Sequence, residues 1–162
     1  MVHLLAHCIL PRVTFSPADA IFCARFVELA HKHSAPNFSA LQLFQAFFNS
    51  LSTHIFACTE KQASNLGRFI HESLQMIEHW KSSEEVYREE CRSLVAFTGA
   101  DAMKVTYEDF VKLVYDWLVY CHLVTSVSVL SASSHRGSTC DRFFCRRFEI
   151  LRRSALHSAR DA

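Results

Sequence analysis

Ser16-Pro17-Ala18-Asp19-Ala20-Ile21-Phe22-Cys23-Ala24-Arg25-Phe26-Val27-Glu28-Leu29-Ala30-His31-Lys32-His33 carries both the start and the stop of a helix. Serine stands at the cap, proline at the first helical position where its missing N–H costs nothing, and an acid in the electropositive first turn. Phe22, Phe26, Leu29 and Ala30 then recur at helical spacing with Val27 beside them, which predicts that this stripe faces the core. Pro36 ends the segment.

The same grammar repeats downstream. After Asn37 or Ser39 as cap, Leu41, Phe44, Phe48, Leu51 and Ile55 form one stripe, which Leu43, Phe47 and Phe56 widen beyond a single face, so this helix is expected to be the most buried. Thr59-Glu60-Lys61-Gln62 is a capping-box pattern, and behind it Leu66, Phe69, Ile70, Leu74, Ile77 and Trp80 keep the 3.6-residue period. Ser82-Ser83-Glu84-Glu85 opens a short helix through Cys91. Thr106 to Asp109 opens another, lined by Tyr107, Phe110, Val111, Val114, Trp117, Leu118 and Cys121. The links are short except for about 14 residues around Gly99. The expected fold is all-α, built of consecutive antiparallel helices. Val127, Val129 and Leu130 are compatible with continuing the last helix, whereas Ser131 to Thr139 reads as a loop before one further helix over residues 141–159. The division is thus a helical region at 1–124 and a loop with an arginine-rich tail at 125–162.

Composition narrows the function. The chain has 162 residues, of which 50% are hydrophobic, enough for one sizeable core. Only Gly67, Gly99 and Gly137 supply glycine, which argues against the turns of dinucleotide or phosphate-binding folds. Seven cysteines set singly in apolar patterns suit buried thiols in a reducing compartment. Met1 to Leu10 lacks the basic start of a signal peptide, and the longest apolar run, Trp117 to Leu130, falls short of the ~20 residues of a membrane span. Neither a membrane nor a small-molecule substrate is expected.

Chemistry is offered only in halves. His54/Cys58, His3/His7, His31/His33 and Cys140/Cys145 are pairs, while zinc needs about four converging ligands, so no metal and no cofactor is expected. No nucleophile elbow exists, Cys91 and Cys121 lie within helical patterns, and no catalytic residue is assigned. Glu72, Glu78, Glu84, Glu85, Glu89, Glu90 and Asp116 read as solvated faces. The aromatic stripes read as core. The rival reading is a small helical metal- or Cys/His-dependent hydrolase, which would require three or four groups to converge in the fold. Charge is uneven: residues 1–135 hold 10 Lys+Arg against 13 Asp+Glu, and residues 136–162 hold 7 Arg against 3 acids. Weak, sequence-indifferent RNA contact is therefore assigned to Arg136, Arg142, Arg146, Arg147, Arg152 and Arg153.

Leu10 to His31 with Ala35-Pro36-Asn37-Phe38-Ser39, then Cys58 to Phe69, His79-Trp80-Lys81, Tyr87 to Cys91 and Tyr107 to Phe110 up to Trp117, occur in an order that resembles the conserved C-terminal region of the THO complex subunit 2 family. The resemblance covers about residues 8–120 and fades after Val124. It implies a slice of a helical solenoid in a much longer, non-catalytic nuclear scaffold. The assembly so implied is THO/TREX, which couples transcription to mRNA processing and nuclear mRNA export, with other THO complex subunits and mRNA export factors as partners.

Overall fold

A computed structural model describes residues 1–92, 97 and 104–132. Eight α-helical segments are formed by these residues: α1 Val2–Leu4, α2 Leu10–Phe15, α3 Pro17–Lys32, α4 Ala40–Asn49, α5 Leu51–Ala57, α6 Glu60–Lys81, α7 Glu84–Tyr87 and α8 Tyr107–Ala132. Two π turns, Leu5–Ile9 and Arg88–Arg92, join α1 to α2 and extend α7. No strand is present among the described residues. The fold is all-α, as the capping signals predict.

Those signals act as hydrogen bonds. Ser16 Oγ accepts from Asp19 N at 3.1 Å, Ser39 Oγ from Gln42 N at 3.4 Å, Ser83 Oγ from Val86 N at 3.2 Å and Thr106 Oγ1 from Asp109 N at 3.2 Å. Thr59 and Gln62 complete a reciprocal capping box, the Gln62 side chain reaching back to Thr59 N at 2.9 Å. Each cap satisfies an amide that the first helical turn leaves without a partner.

Helix directions follow from which residues meet. Arg25 pairs with Glu72 and His31 packs on Trp80, so α3 and α6 run the same way. Phe48 stacks on Trp117 and Ser52 bonds Tyr120, so α4–α5 and α8 run the same way. The Tyr107 hydroxyl donates to the Lys81 carbonyl at 2.7 Å, joining the end of α6 to the start of α8. Successive long helices therefore alternate in direction. α6 is the central layer, packed on α2 and α3 and also on α8.

The core runs through all of them. Phe44, Phe47 and Phe48 of α4 are fully buried, and Phe47 meets Phe69 of α6 edge-on at 5.3 Å between ring centroids. At the other end, Phe97 packs against His31, Trp80, Tyr87 and Phe110. A residue from the long connection around Gly99 thus fills the place between α3, α6, α7 and α8.

The structure differs from the sequence reading or adds to it in four places. The inner face of α3 is Ala20, Cys23, Ala24, Val27 and His31, whereas Phe22, Phe26 and Leu29 stand 52%, 41% and 55% exposed. Small side chains win the inner position because they let α3 approach α2 and α6 closely, and the bulky stripe is left outside. The helix after Ser39 is two helices: Ser50 Oγ bonds back to the Ala46 and Phe47 carbonyls at 2.8 and 3.2 Å, closing α4 before α5 begins and leaving Phe56 exposed. The helical run from Val2 to Phe15 has no counterpart among the helices expected from sequence. α8 continues as backbone helix through Ala132, so it takes up Val127 to Leu130 and the beginning of the expected loop. The expected helix over 141–159 lies outside the described residues, as does most of the connection around Gly99.

Candidate functional site

The expected pairs separate on folding. His3 and His7 stack at 5.9 Å between centroids on the exposed side of the first π turn. His54 turns away from Cys58 and shares a hydrogen bond of 3.0 Å with Ser50 Oγ. His31 is buried while His33 is exposed. Cys140, Cys145 and the six tail arginines, Arg136, Arg142, Arg146, Arg147, Arg152 and Arg153, lie outside the described residues. Among the described residues, no group of three or more His, Cys, Asp or Glu is arranged to hold a metal ion. No helix there is long and apolar enough to cross a membrane.

One Cys–His contact does form, unannounced by sequence spacing. The second π turn brings the Glu90 carbonyl to within 3.0 Å of His31 Nε2, whose N–H donates to it, and Cys91 Sγ stands 3.9 Å from the same nitrogen. The wider turn leaves a carbonyl available to a side chain from another helix. Burial dictates the chemistry of this pair. Cys91 is fully buried and burial holds its thiol well above the usual value, so the thiolate needed by a nucleophile is disfavoured. Burial likewise keeps His31 below the usual histidine value. Trp80 at 4.5 Å and Phe97 at 5.4 Å enclose the imidazole. A cleft of about 210 Å³ opens beside it between α3, α6 and the π turn. On the rim His79 Nε2 donates to Glu90 Oε1 at 3.0 Å, and Glu28 holds both Arg25 and Lys32 at 2.8 Å. Lys32 first, then Arg25, lowers the Glu28 pKa by hydrogen bonding.

The larger surface feature is apolar. Phe15, 79% exposed, precedes the outward stripe of Phe22, Phe26 and Leu29 on α3. The Arg12 guanidinium lies 4.5 Å over the Phe22 ring and pairs with Asp19 at 2.8 Å. Arg25 reaches Glu72 at 3.1 Å. The charges bordering the stripe are thus matched within the molecule, and what α3 offers outward is hydrocarbon. A second apolar stripe, Tyr115, Val119 and Leu123, is exposed on α8, which also packs on α6. Contiguous exposed apolar surface of this kind marks an interaction face. Sequence periodicity found the α3 stripe but assigned it to the interior.

Comparison with known proteins gives the arrangement its setting. THO complex subunit 2 of Homo sapiens is 38% identical over 120 residues, covering 68% of this chain and 8% of that protein. Its namesake in Arabidopsis thaliana is 36% identical over 121 residues, covering 72% of this chain and 7% of that protein. In Saccharomyces cerevisiae the match is 32% over 90 residues, 56% of this chain and 6% of that protein. The chain therefore spans less than a tenth of the length of the curated relatives it matches. No solved structure matches. The profile of the family described as transcription factor/nuclear export subunit protein 2 matches residues 1–133, which include every described helix. By that match and by its relatives, the chain belongs to this THO complex subunit 2 family.

Proposed function

We propose that the chain serves as a non-catalytic scaffold piece of the THO assembly in the nucleus, where that assembly couples transcription to mRNA processing and export. The observation that carries the reading is the pair of outward apolar stripes, on α3 and on α8, two of the helices packed on α6. A slice of a helical solenoid presents such faces because each layer buries its stripe against the next. Other THO complex subunits and mRNA export factors are the partners this reading names. The rival hydrolase reading loses support from the Cys91–His31 pair, whose thiol is buried and held protonated.

Affinity purification of the tagged chain from nuclear extract tests the proposal. THO subunits and export factors co-purify with the parent chain, and the yield falls when Phe22 and Phe26 are changed to serine. Recovery of neither class overturns the scaffold role. RNA contact belongs to the arginines of residues 136–153: changing all six to glutamine in the full chain abolishes weak, salt-sensitive binding of single-stranded RNA, measured by fluorescence anisotropy. Binding that survives this change and resists salt places the contact elsewhere.

A further inference from the structure

α8 turns Tyr115, Val119 and Leu123 to solvent, each about one helical turn from the next. Its exposed positions up to Leu123 also carry Glu108, Asp109 and Asp116 against Lys112, an acidic excess. Asp109 is engaged by Thr106 at the helix start. Asp116 stands beside the apolar stripe and is in no ion pair among the described residues. The stripe on α3 differs, because Arg12, Asp19 and Arg25 along its border are matched within the molecule. A cover suited to α8 is therefore apolar along one side and basic at its edge.

The chain itself continues with such a segment. α8 ends at Ala132, and residues 133–162 follow it. Over 141–159, where the sequence predicts a helix, Phe144, Phe148, Leu151 and Ala155 fall on one stripe at about 100° per residue. Five arginines stand in that span against Asp141 and Glu149. On the same helical wheel Arg152 borders the stripe, while Arg142, Arg146 and Arg153 lie opposite it. The connection, residues 133–140, reaches ~27 Å when extended, well beyond the ~10 Å between packed helix axes. Its length lies within the range of turns that join neighbouring helices.

We propose that residues 141–159 fold back antiparallel on α8 and cover its apolar stripe, with Arg152 on Asp116. The two patterns set the register. Asp116 directly follows Tyr115 of one stripe and Arg152 directly follows Leu151 of the other, so each sits on the same rotational flank. In an antiparallel pair those two flanks face each other. With Arg152 level with Asp116, Leu123 falls between Phe144 and Phe148, Val119 between Phe148 and Leu151, and Tyr115 between Leu151 and Ala155, side chains of one helix entering the gaps of the other. The chain's own next layer thus closes α8 and leaves the α3 stripe open to other subunits. Arg142, Arg146 and Arg153 remain on the outer side.

Residue-resolved amide exchange by NMR on the full chain, corrected for intrinsic rates, tests the docking. A solvated helix of this length is marginal in water, so protection of residues 148–156 reports the contact. In the parent chain these amides exchange about tenfold or more slowly than in Leu151→Asp, which puts a charge on the docking stripe. Val119→Asp, on the exposed face of α8, has the same effect from the other side, while Leu66 to Ile77 of α6 keep their protection. Asp116→Arg lowers protection of 148–156 about threefold, and adding Arg152→Asp restores it. Unprotected amides at 148–156 in the parent chain overturn the docking and leave α8 to a separate partner. Protection that grows over an about tenfold rise in protein concentration assigns the face to a second copy and overturns it likewise. Protection that survives Val119→Asp, or a charge swap that fails to restore it, overturns the placement on α8. Should Val119→Asp loosen α6 as well, the charge swap decides.

Discussion

α3 and α4 are both rich in apolar residues, yet they use them in opposite ways. α4 turns Leu41, Leu43, Phe44, Phe47 and Phe48 inward. α3 turns Ala20, Cys23, Ala24 and Val27 inward and leaves Phe22, Phe26 and Leu29 outside. The difference teaches that side-chain size does not decide which face of a helix is core. α4 fills space between α6 and α8 and needs volume, as the Phe47–Phe69 and Phe48–Trp117 contacts show. α3 is drawn tightly against α2 and α6, where volume would push it away.

The comparison breaks most visibly if α4 is emptied. Phe47→Ala or Phe48→Ala is expected to cost about 3–5 kcal/mol in equilibrium denaturation, because each leaves a cavity in a closed core. A cost below about 1 kcal/mol would show that the α4 aromatics do not carry the core. Enlarging the inner face of α3 comes next: Ala24→Leu is expected to lose about 1–3 kcal/mol through overpacking, and a neutral outcome would mean that the α3–α6 approach is looser than its geometry. Thr59→Ala removes one half of a reciprocal cap and is expected to cost about 1 kcal/mol, read as a lower unfolding midpoint. The smallest change belongs to the outward stripe. Phe22→Ala and Phe26→Ala are each expected to stay within about 0.5 kcal/mol in the isolated chain while weakening capture of nuclear partners, and large destabilisation would return these rings to the core.

What the sequence made legible was local chemistry. Ser16, Thr59, Ser83 and Thr106 cap helices where expected because a cap is decided within four residues. The periodic run Leu66 to Trp80 is buried throughout, since α6 has one apolar stripe and that stripe faces neighbours. α3 misled because it has two apolar faces, and period alone cannot say which one meets α6. Phe97 was missed for a related reason: it sits in a connection without a pattern, and only the tertiary fold places it beside His31 and Trp80. The His31–Cys91 contact joins residues 60 positions apart, beyond the reach of any spacing rule. Asn65 belongs with these. Its side-chain amide donates to the Thr14 carbonyl at 3.1 Å, a polar contact on the buried side of α6.

The two π turns bear on how this chain can vary in length. A π turn is an α-helical turn that accommodates one additional residue without breaking the helix. Loss of one residue within Leu5–Ile9 or Arg88–Arg92 would let the turn relax to ordinary pitch with the downstream residues nearly in phase, because the widened turn had absorbed the additional residue. At the first turn that relaxation keeps the phase of Leu10 and Val13, whose burial seats α2. At the second it closes the widened turn and withdraws the Glu90 carbonyl from His31. Single-residue deletions in homologous chains should therefore be tolerated at the first turn, and where the second turn has lost a residue, a residue other than histidine should stand at position 31.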